Sequence, residues 1–450
     1  MQGDIASFRF GFGPGKHGSS RFDAAAELGR LENAGPPVSD ETSLRLAALR
    51  DLYDAVVAAK RGKTGDLAAA RMNVGRAIHR FLIGDTHAAI VSAAATDMPF
   101  AARLTAFWAN HFSLGMGVPQ VLALAGPFQA AAIGAHIMGY FADLLIAAEL
   151  HPAMIFYLSL QESVGPNSPL GKRKAKGLNE NLGREILELH TMGADGGYSQ
   201  RDVTALAAIM TGWWVSLKEA GTVFARNRAE PGPKTLLDGK FQGDTRGKDF
   251  TDALRMLAVH PATARHVARK LAHHFLGPSA DAAAEKLAKV FLDSGGYLPE
   301  VYYALLDLAE ASAPLGGLTR NDFEFVVSAL RAANLRTGSL DLKDGEDGKP
   351  NGNPLTFGAM AALTQKLWLA PSPQGWPDDP DFWLAPASFA RRLRWIPALV
   401  RRMAETDPAD LIAAALGPLA TANTIATVGS ASNRLEALGL VFASPEFNRR

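Results

Sequence analysis

Residues 179–214 read NENLGREILELHTMGADGGYSQRDVTALAAIMTGWW. Two apolar patterns at three- and four-residue steps flank the glycine turn Gly193–Gly197, so the stretch predicts two helices folded back on one another. Ser199 followed by Asp202 is a capping-box pattern and marks the start of the second helix. On a regular helix Glu180, Asn181, Arg184, Glu185 and Glu188 share one arc, and Leu182, Gly183, Ile186, Leu187 and Leu189 share the other, with His190 on the apolar side. No lysine interrupts the polar arc.

The same period recurs outward along the chain. Thr42–Lys60, Asp66–Leu82, Pro99–His111, Pro261–Phe275, Ala282–Leu292, Pro299–Ala311 and Arg320–Leu335 all carry helical spacing. Thr319 with Asp322 predicts a further capping box, and Pro261 sits where a first helical residue needs no N–H. Asp85 and His87 read as caps of the helix that follows them. Two-residue alternation is almost absent; Met154–Leu160 fits either a strand or a buried helix. The expectation is a mainly α protein, a large multi-helix domain with long irregular loops and few or no strands. Residues 1–335 would form the main helical domain, and 336–450 a smaller helical part, separate or continuous with it. The irregular stretches are Lys218–Asp249, Gly338–Pro354 and Pro371–Pro386.

Composition narrows the function classes. The 450 residues hold 46 basic and 45 acidic side chains, a balance that argues against a nucleic-acid footprint. Lys172, Arg173, Lys174 and Lys176 form the one charge run and read as a solvated loop. Cysteine is absent, which removes disulfides, thiolate zinc sites and cysteine nucleophiles. Ser113–Ala142 lacks Asp, Glu, Lys and Arg, but Gly115, Gly117, Pro119 and Pro127 split it into runs too short to span a bilayer. No apolar signal core opens the sequence; the chain is either cytosolic or a mature periplasmic or secreted protein whose signal has been removed.

Candidate chemistry centres on the polar arc. Glu185 and Glu188 are the acid and base candidates, since crowded carboxylates beside Arg184 have their pKa values pushed apart. His190 reads as a core histidine bonded to backbone. The spacing Glu185/Glu188/His190 is neither HExxH nor the Glu-x-x-His of di-iron bundles. In FWANHF, Trp108, Asn110 and His111 either finish a helix or line a cleft, His111 then serving as acid/base or ligand. Trp213 and Trp214, on a helix end, would point apart, one into the core and one towards a flat substrate face. Glu230 and Lys234 lie in EPGPKT, a loop stiffened by Pro231 and Pro233. Neither that loop nor Gly11–Gly15 is a phosphate-binding loop, and GxSxG is absent. His266, Lys270 and His273 share a helix face that reads as basic and exposed.

Several of these segments together resemble the bacterial family known as domain of unknown function 1800. They are RFGFGP (Arg9–Pro14), FWANHF (Phe107–Phe112), HPAMIFYL (His151–Leu158), the 179–214 pair, EPGPKTLL (Glu230–Leu237), HPATARHVARKLAHHF (His260–Phe275) and ASPEF (Ala443–Phe447). The resemblance implies a mainly helical fold, frequent export, and genes that often neighbour a second family resembling sulfatases and alkaline phosphatases; it implies no established reaction. A histidine often precedes the acid of EPGPKT in that pattern, where this chain has Ala229.

The expectation is a hydrolase acting on an envelope or extracellular substrate such as a glycan. Glu185, Glu188, Glu230 and His111 would be catalytic, and Trp108, Asn110, Arg184, Trp213, Trp214 and Lys234 would hold substrate. Carboxylates about 5 Å apart would retain configuration and about 6.5–9.5 Å would invert it. The sequence identifies no cofactor and leaves a divalent metal open. The alternatives are an enzyme using a divalent metal on His111, Glu188 and Glu230, and a non-catalytic envelope protein that binds the sulfatase-like partner.

Overall fold

Helix Leu67–Ala95 is 29 residues long and carries the buried stripe Val74, Ile78, Leu82, Ile83 and Ile90. That stripe runs straight through Gly84, whose cost of about 1 kcal/mol in a helix it outweighs. Asp85 and His87 therefore sit mid-helix and not at a cap, a correction to the sequence reading. Asp85 pairs with Arg45 at 2.8 Å, and His87 Nδ1 meets Thr356 Oγ1 at 3.1 Å. The computed structural model describes the whole chain except residues 1–2, 16–21, 36–38, 63–64, 116, 175–176, 244–245, 309–310, 312–314, 316–317, 336 and 345–349.

The fold is mainly α. Helices Glu41–Lys60, Pro99–His111, Pro261–Leu276, Asp281–Asp293, Leu298–Asp307 and Asp322–Ala333 follow the predicted periods to within a few residues. Ser199 and Asp202 close their capping box around helix Gln200–Met210. The second box is shifted: Asn321 and Glu324, and not Thr319 and Asp322, cap helix Asp322–Ala333. Residues 152–157 are helical, Pro152–Tyr157, because Pro152 starts them and His151 Nδ1 accepts from Ala153 N at 3.1 Å. The 113–142 stretch holds helix Pro119–Pro127 and the π-helix Phe128–Gly134; among the described residues no helix is long and apolar enough to cross a membrane. Lys172, Arg173 and Lys174 end the short helix Pro169–Lys174, where a loop was expected, with their side chains exposed; Lys176 lies outside the described residues.

The expected irregular stretch Lys218–Asp249 contains strands. β1 (Trp213–Ser216) pairs antiparallel with β2 (Gly221–Phe224), and β3 (Lys234–Leu236) with β4 (Gly239–Phe241). The second hairpin packs on helix Gln200–Met210, and Asp202 Oδ1 accepts from Leu237 N at 2.8 Å. A third, two-residue ladder joins Lys343–Asp344 to Pro350–Asn351.

Among the described residues two large apolar cores result, beside a small cluster of Leu49, Val74, Ile78 and Ala123. The larger gathers residues from Ala6 to Ala311 with Trp368. The other joins helix Asp322–Ala333 to Pro386–Val400, Pro408–Ala415 and Arg434–Ala443, with Phe12, Ile90 and Ala93. The buried ion pair Arg103–Glu324 at 3.0 Å stitches the N-terminal half to the C-terminal half, and Arg450–Glu324 at 2.9 Å and Arg392–Asp322 at 2.9 Å tie the C-terminal half together. Each charge there has its counter-charge, the condition under which an interior tolerates it.

Candidate functional site

The 179–192 segment is not one regular helix. Asn179 caps helix Glu180–Glu185, and residues Ile186–His190 continue as a π-helix. Met192 N reaches Leu187 O at 2.9 Å and Thr191 Oγ1 reaches Ile186 O at 2.6 Å, both across five residues. The widened turn re-aims every side chain after Glu185, and such π turns recur at functional sites.

His190 is buried as expected, but its ring partner is a carboxylate and not backbone. His190 Nδ1 donates to Glu149 Oε1 at 2.6 Å, with the two side chains 1 % and 0 % exposed. Glu149 ends helix Phe141–Glu149. The outer atoms of this pair, His190 Nε2 and Glu149 Oε2, are buried without a partner. In a neutral imidazole that donates from Nδ1, Nε2 is the nitrogen with the lone pair.

Two more histidines border the pair. His111, the last residue of helix Pro99–His111, donates from Nε2 to the backbone oxygen of His190 at 3.1 Å, and its Nδ1 is buried without a partner. His266 donates from Nε2 to Leu189 O at 3.0 Å. The His111 ring lies 6.2 Å from His190 and 6.1 Å from His266, centroid to centroid. Burial first, and the Lys270 charge second, hold both His111 and His266 below the ordinary imidazole range, His266 at about 4. Lys270 itself is pushed down to about 8 by burial. The face His266–Lys270 is thus turned inward, correcting the expected exposed basic face; only His273 lies near the surface, beside Asp281 at 3.1 Å. The physical reason is packing: helix Pro261–Leu276 is covered by Asp281–Asp293 on one side and by the π turn on the other.

The expected acids divide. Glu185 is half-buried, and burial raises its pKa, with the Glu188 charge adding and His190 opposing. Burial, and then the charge of Glu185, push Tyr157 up to about 12. Glu188 accepts from Tyr198. Arg184 is exposed and donates to Gln200 Oε1 at 2.7 Å, while Glu180 accepts from Gln200 at 2.8 Å and Thr204 at 2.6 Å. Glu180 and Arg184 therefore tie two helices together at the solvent side.

Glu230 is engaged elsewhere. Its carboxylate accepts from Asn167 N at 2.9 Å and Asn167 Nδ2 at 2.6 Å, and its N–H donates to Thr211 Oγ1 at 2.7 Å. Lys234 Nζ closes the loop on Glu230 O at 2.7 Å and Gly232 O at 2.8 Å. Ala229 follows the turn Arg226–Arg228, half-buried. Among the described residues no hydrogen bond or ion pair joins Glu230 to His111, Glu185 or Glu188. Nor, among those residues, are any three His, Asp or Glu side chains placed to hold one metal ion.

The aromatic candidates separate as well. Trp108 is fully buried and donates to Tyr302 Oη at 2.7 Å, so it is a core residue and not a substrate platform. Asn110 exchanges two 2.8 Å bonds with Trp376, N–H to Oδ1 and Nδ2 to O, pinning the 371–386 loop. Trp213 and Trp214 open β1 instead of ending a helix. Trp213 packs edge-on to Phe224, and Trp214 lies on the other side under Arg228 at 5.6 Å.

Glu149 and Tyr157 have no role in the sequence analysis, and His266 and Lys270 appear there only as part of an exposed basic face. Glu149 had one usable signal: it is an acid in a helix, FADLLIAAE, that is otherwise nearly all apolar, which marks an interior position. The residues that converge come from four of the segments quoted above or their immediate flanks: FWANHF, the residues before HPAMIFYL, ELH and HPATARHVARK.

A family model described as protein of unknown function (DUF1800) matches residues 6–449, and the chain belongs to that family. Neither a curated relative nor a solved structure matches the chain.

Proposed function

We propose that the chain is an acid–base enzyme of the hydrolase type, with His190 as the base and Glu185 as the acid. The carrying observation is the 2.6 Å Glu149–His190 pair whose Nε2 has no partner. Glu149 fixes the tautomer and stabilises the imidazolium that forms when Nε2 takes a proton from water, the role a carboxylate plays behind a catalytic histidine. Glu185, raised by burial, keeps its proton to higher pH and donates it to the leaving group. Tyr157 and Glu188, both half-buried and both within electrostatic reach of Glu185, would be the first side chains a substrate meets under this reading.

The substrate class carried forward is a glycan or another polymer of the envelope or the extracellular space. A raised carboxylic acid beside a second acid–base group supports it, because glycosidic oxygen requires protonation as it leaves. Trp214, half-buried beneath Arg228, is the sugar-stacking candidate.

The test is hydrolysis of aryl glycosides, aryl esters and envelope polysaccharides by the whole chain and by Glu149→Gln, Glu185→Gln and His190→Gln, each checked for folding by circular dichroism. The expected loss is about 10²–10⁴-fold in kcat for His190→Gln and Glu185→Gln. Full activity in folded His190→Gln, or no turnover of any substrate by the unaltered chain, overturns the proposal.

A further inference from the structure

A cavity of about 60 Å³ lies against helix Pro99–His111, the helix whose last residue joins the histidine cluster. That is room for a group of a few heavy atoms. Every residue lining it is described, and much of its wall is aromatic: Phe107, Phe323, Trp368 and Trp376. It reaches solvent at the 371–386 loop, where Pro377 and Asp378 are exposed.

Its uncommitted polar groups are mostly donors. Gln129 Oε1 accepts from Trp368 Nε1 at 2.6 Å, Gln365 Oε1 from Phe323 N at 2.8 Å and Asn321 Oδ1 from Glu324 N at 2.9 Å. An indole or backbone N–H can only donate, so in each amide the oxygen is the bonded end and the NH2 is left over. Trp376 Nε1 is buried and also lacks a partner. Among the described residues none of these nitrogens is hydrogen-bonded. Asn110 adds nothing, since both ends of its amide are spent on Trp376. Of the two carboxylates in the wall, Glu324 is taken up by Arg103 and Arg450. Asp378 accepts from His274 Nδ1 at 2.8 Å through Oδ1, while Oδ2 carries no hydrogen bond among the described residues. Lys270 and Arg450 balance the Asp378 charge from a distance.

The wall thus combines several free N–H groups, one free acceptor oxygen and apolar rings. Two carboxylates oppose an anion, and the surplus of donors opposes a cation. A neutral group with a strong acceptor oxygen, a single N–H and an apolar end matches all three features, and a substituted carboxamide is such a group.

We propose that this cavity binds the acetamido group of an N-acetylated sugar. The carbonyl oxygen takes the free N–H groups, the amide N–H meets Asp378 Oδ2, and the methyl packs on the aromatic rings. The acetamido part stands on the wall itself; the sugar part rests on the glycan reading above and puts the sugar ring outside, over Pro377 and Asp378.

Saturation-transfer NMR and calorimetric titration of the whole chain with N-acetylglucosamine, against glucose as the control, test this. N-acetylglucosamine is expected to bind about tenfold or more tightly than glucose, with the acetyl methyl its most saturated group. Trp376→Phe keeps an aromatic ring and the backbone bonds to Asn110 and removes the indole N–H. Gln129→Glu keeps an oxygen for Trp368 and removes the NH2. Each is expected to weaken binding about 3–10-fold. No binding, equal binding of glucose, saturation centred on the sugar-ring protons, or unchanged affinity in both folded variants each overturns the proposal. The hydrolase reading fails separately: folded His190→Gln is expected to bind N-acetylglucosamine unchanged while losing turnover, and binding by a chain that turns over no substrate sinks that reading and leaves this site standing.

Discussion

Glu149 and His190 are 41 positions apart in sequence and 2.6 Å apart in space, both shut off from solvent. The contact joins the end of one helix to the π turn of another. It binds the two patterns that the sequence presents separately, and it leaves one imidazole nitrogen and one carboxylate oxygen without a hydrogen-bond partner.

Glu149→Leu is expected to destabilise the chain by about 3–5 kcal/mol, because it leaves the ring N–H of His190 buried and unmet. Glu149→Gln retains an oxygen and is expected to cost about 1–2 kcal/mol. Urea denaturation of both variants measures the difference. Equal costs would mean that the hydrogen bond itself contributes nothing.

Glu27 links stability to pH. Its folded pKa, about 7, lies above the ordinary 4.5, so its contribution is fully present below about pH 4.5 and is lost as pH rises through 7. Glu27→Gln removes that loss. The stability of the variant relative to the parent is therefore expected to rise between pH 4.5 and 8, by up to ~3 kcal/mol. A flat difference in denaturation curves across that range contradicts the assignment.

Gly193→Ala is expected to cost about 1–3 kcal/mol. Gly193 has φ 82°, and a Cβ there would meet His266 Nδ1 at 2.9 Å. The substitution should also shift the His266 imidazole resonances in NMR spectra while leaving those of His273 in place.

Trp108→Phe is expected to cost about 1–3 kcal/mol by orphaning the Tyr302 hydroxyl, with no change in KM for any substrate found. A rise in KM at unchanged stability would return Trp108 to the binding surface.

Asn110→Ala removes both bonds to Trp376. The expected outcome is faster proteolytic cleavage within residues 371–386 and a red-shifted tryptophan emission, at a stability cost of about 1–2 kcal/mol.

The helices were legible because apolar spacing records which stripe faces inward; Pro99–His111 begins and ends where the pattern says. What the spacing does not record is the partner of a polar side chain. Asp85 looked like a cap because aspartate is a favoured N-cap residue, yet Arg45, 40 residues away, pairs with it inside a continuous helix. His266 and Lys270 looked solvated because charge usually is, and a neighbouring helix end turned them inward. The glutamates of 179–192 were placed on a regular wheel, and a hydroxyl at Thr191 that captures Ile186 O helps widen the turn beyond it. The hairpins of 213–241 were missed since their strands are only three or four residues long, too short for alternation to register.

The π turn at Ile186–His190 makes the length of this segment as consequential as its composition. Deleting a single residue there would let the chain relax into an ordinary spiral, which conservative side-chain exchanges do not do. The imidazole would swing by about 100° and strand an acid group in a dry interior. Engineering of this region should therefore tolerate replacement far better than shortening, and a one-codon deletion would be the sharper probe of whether the protein's chemistry resides here.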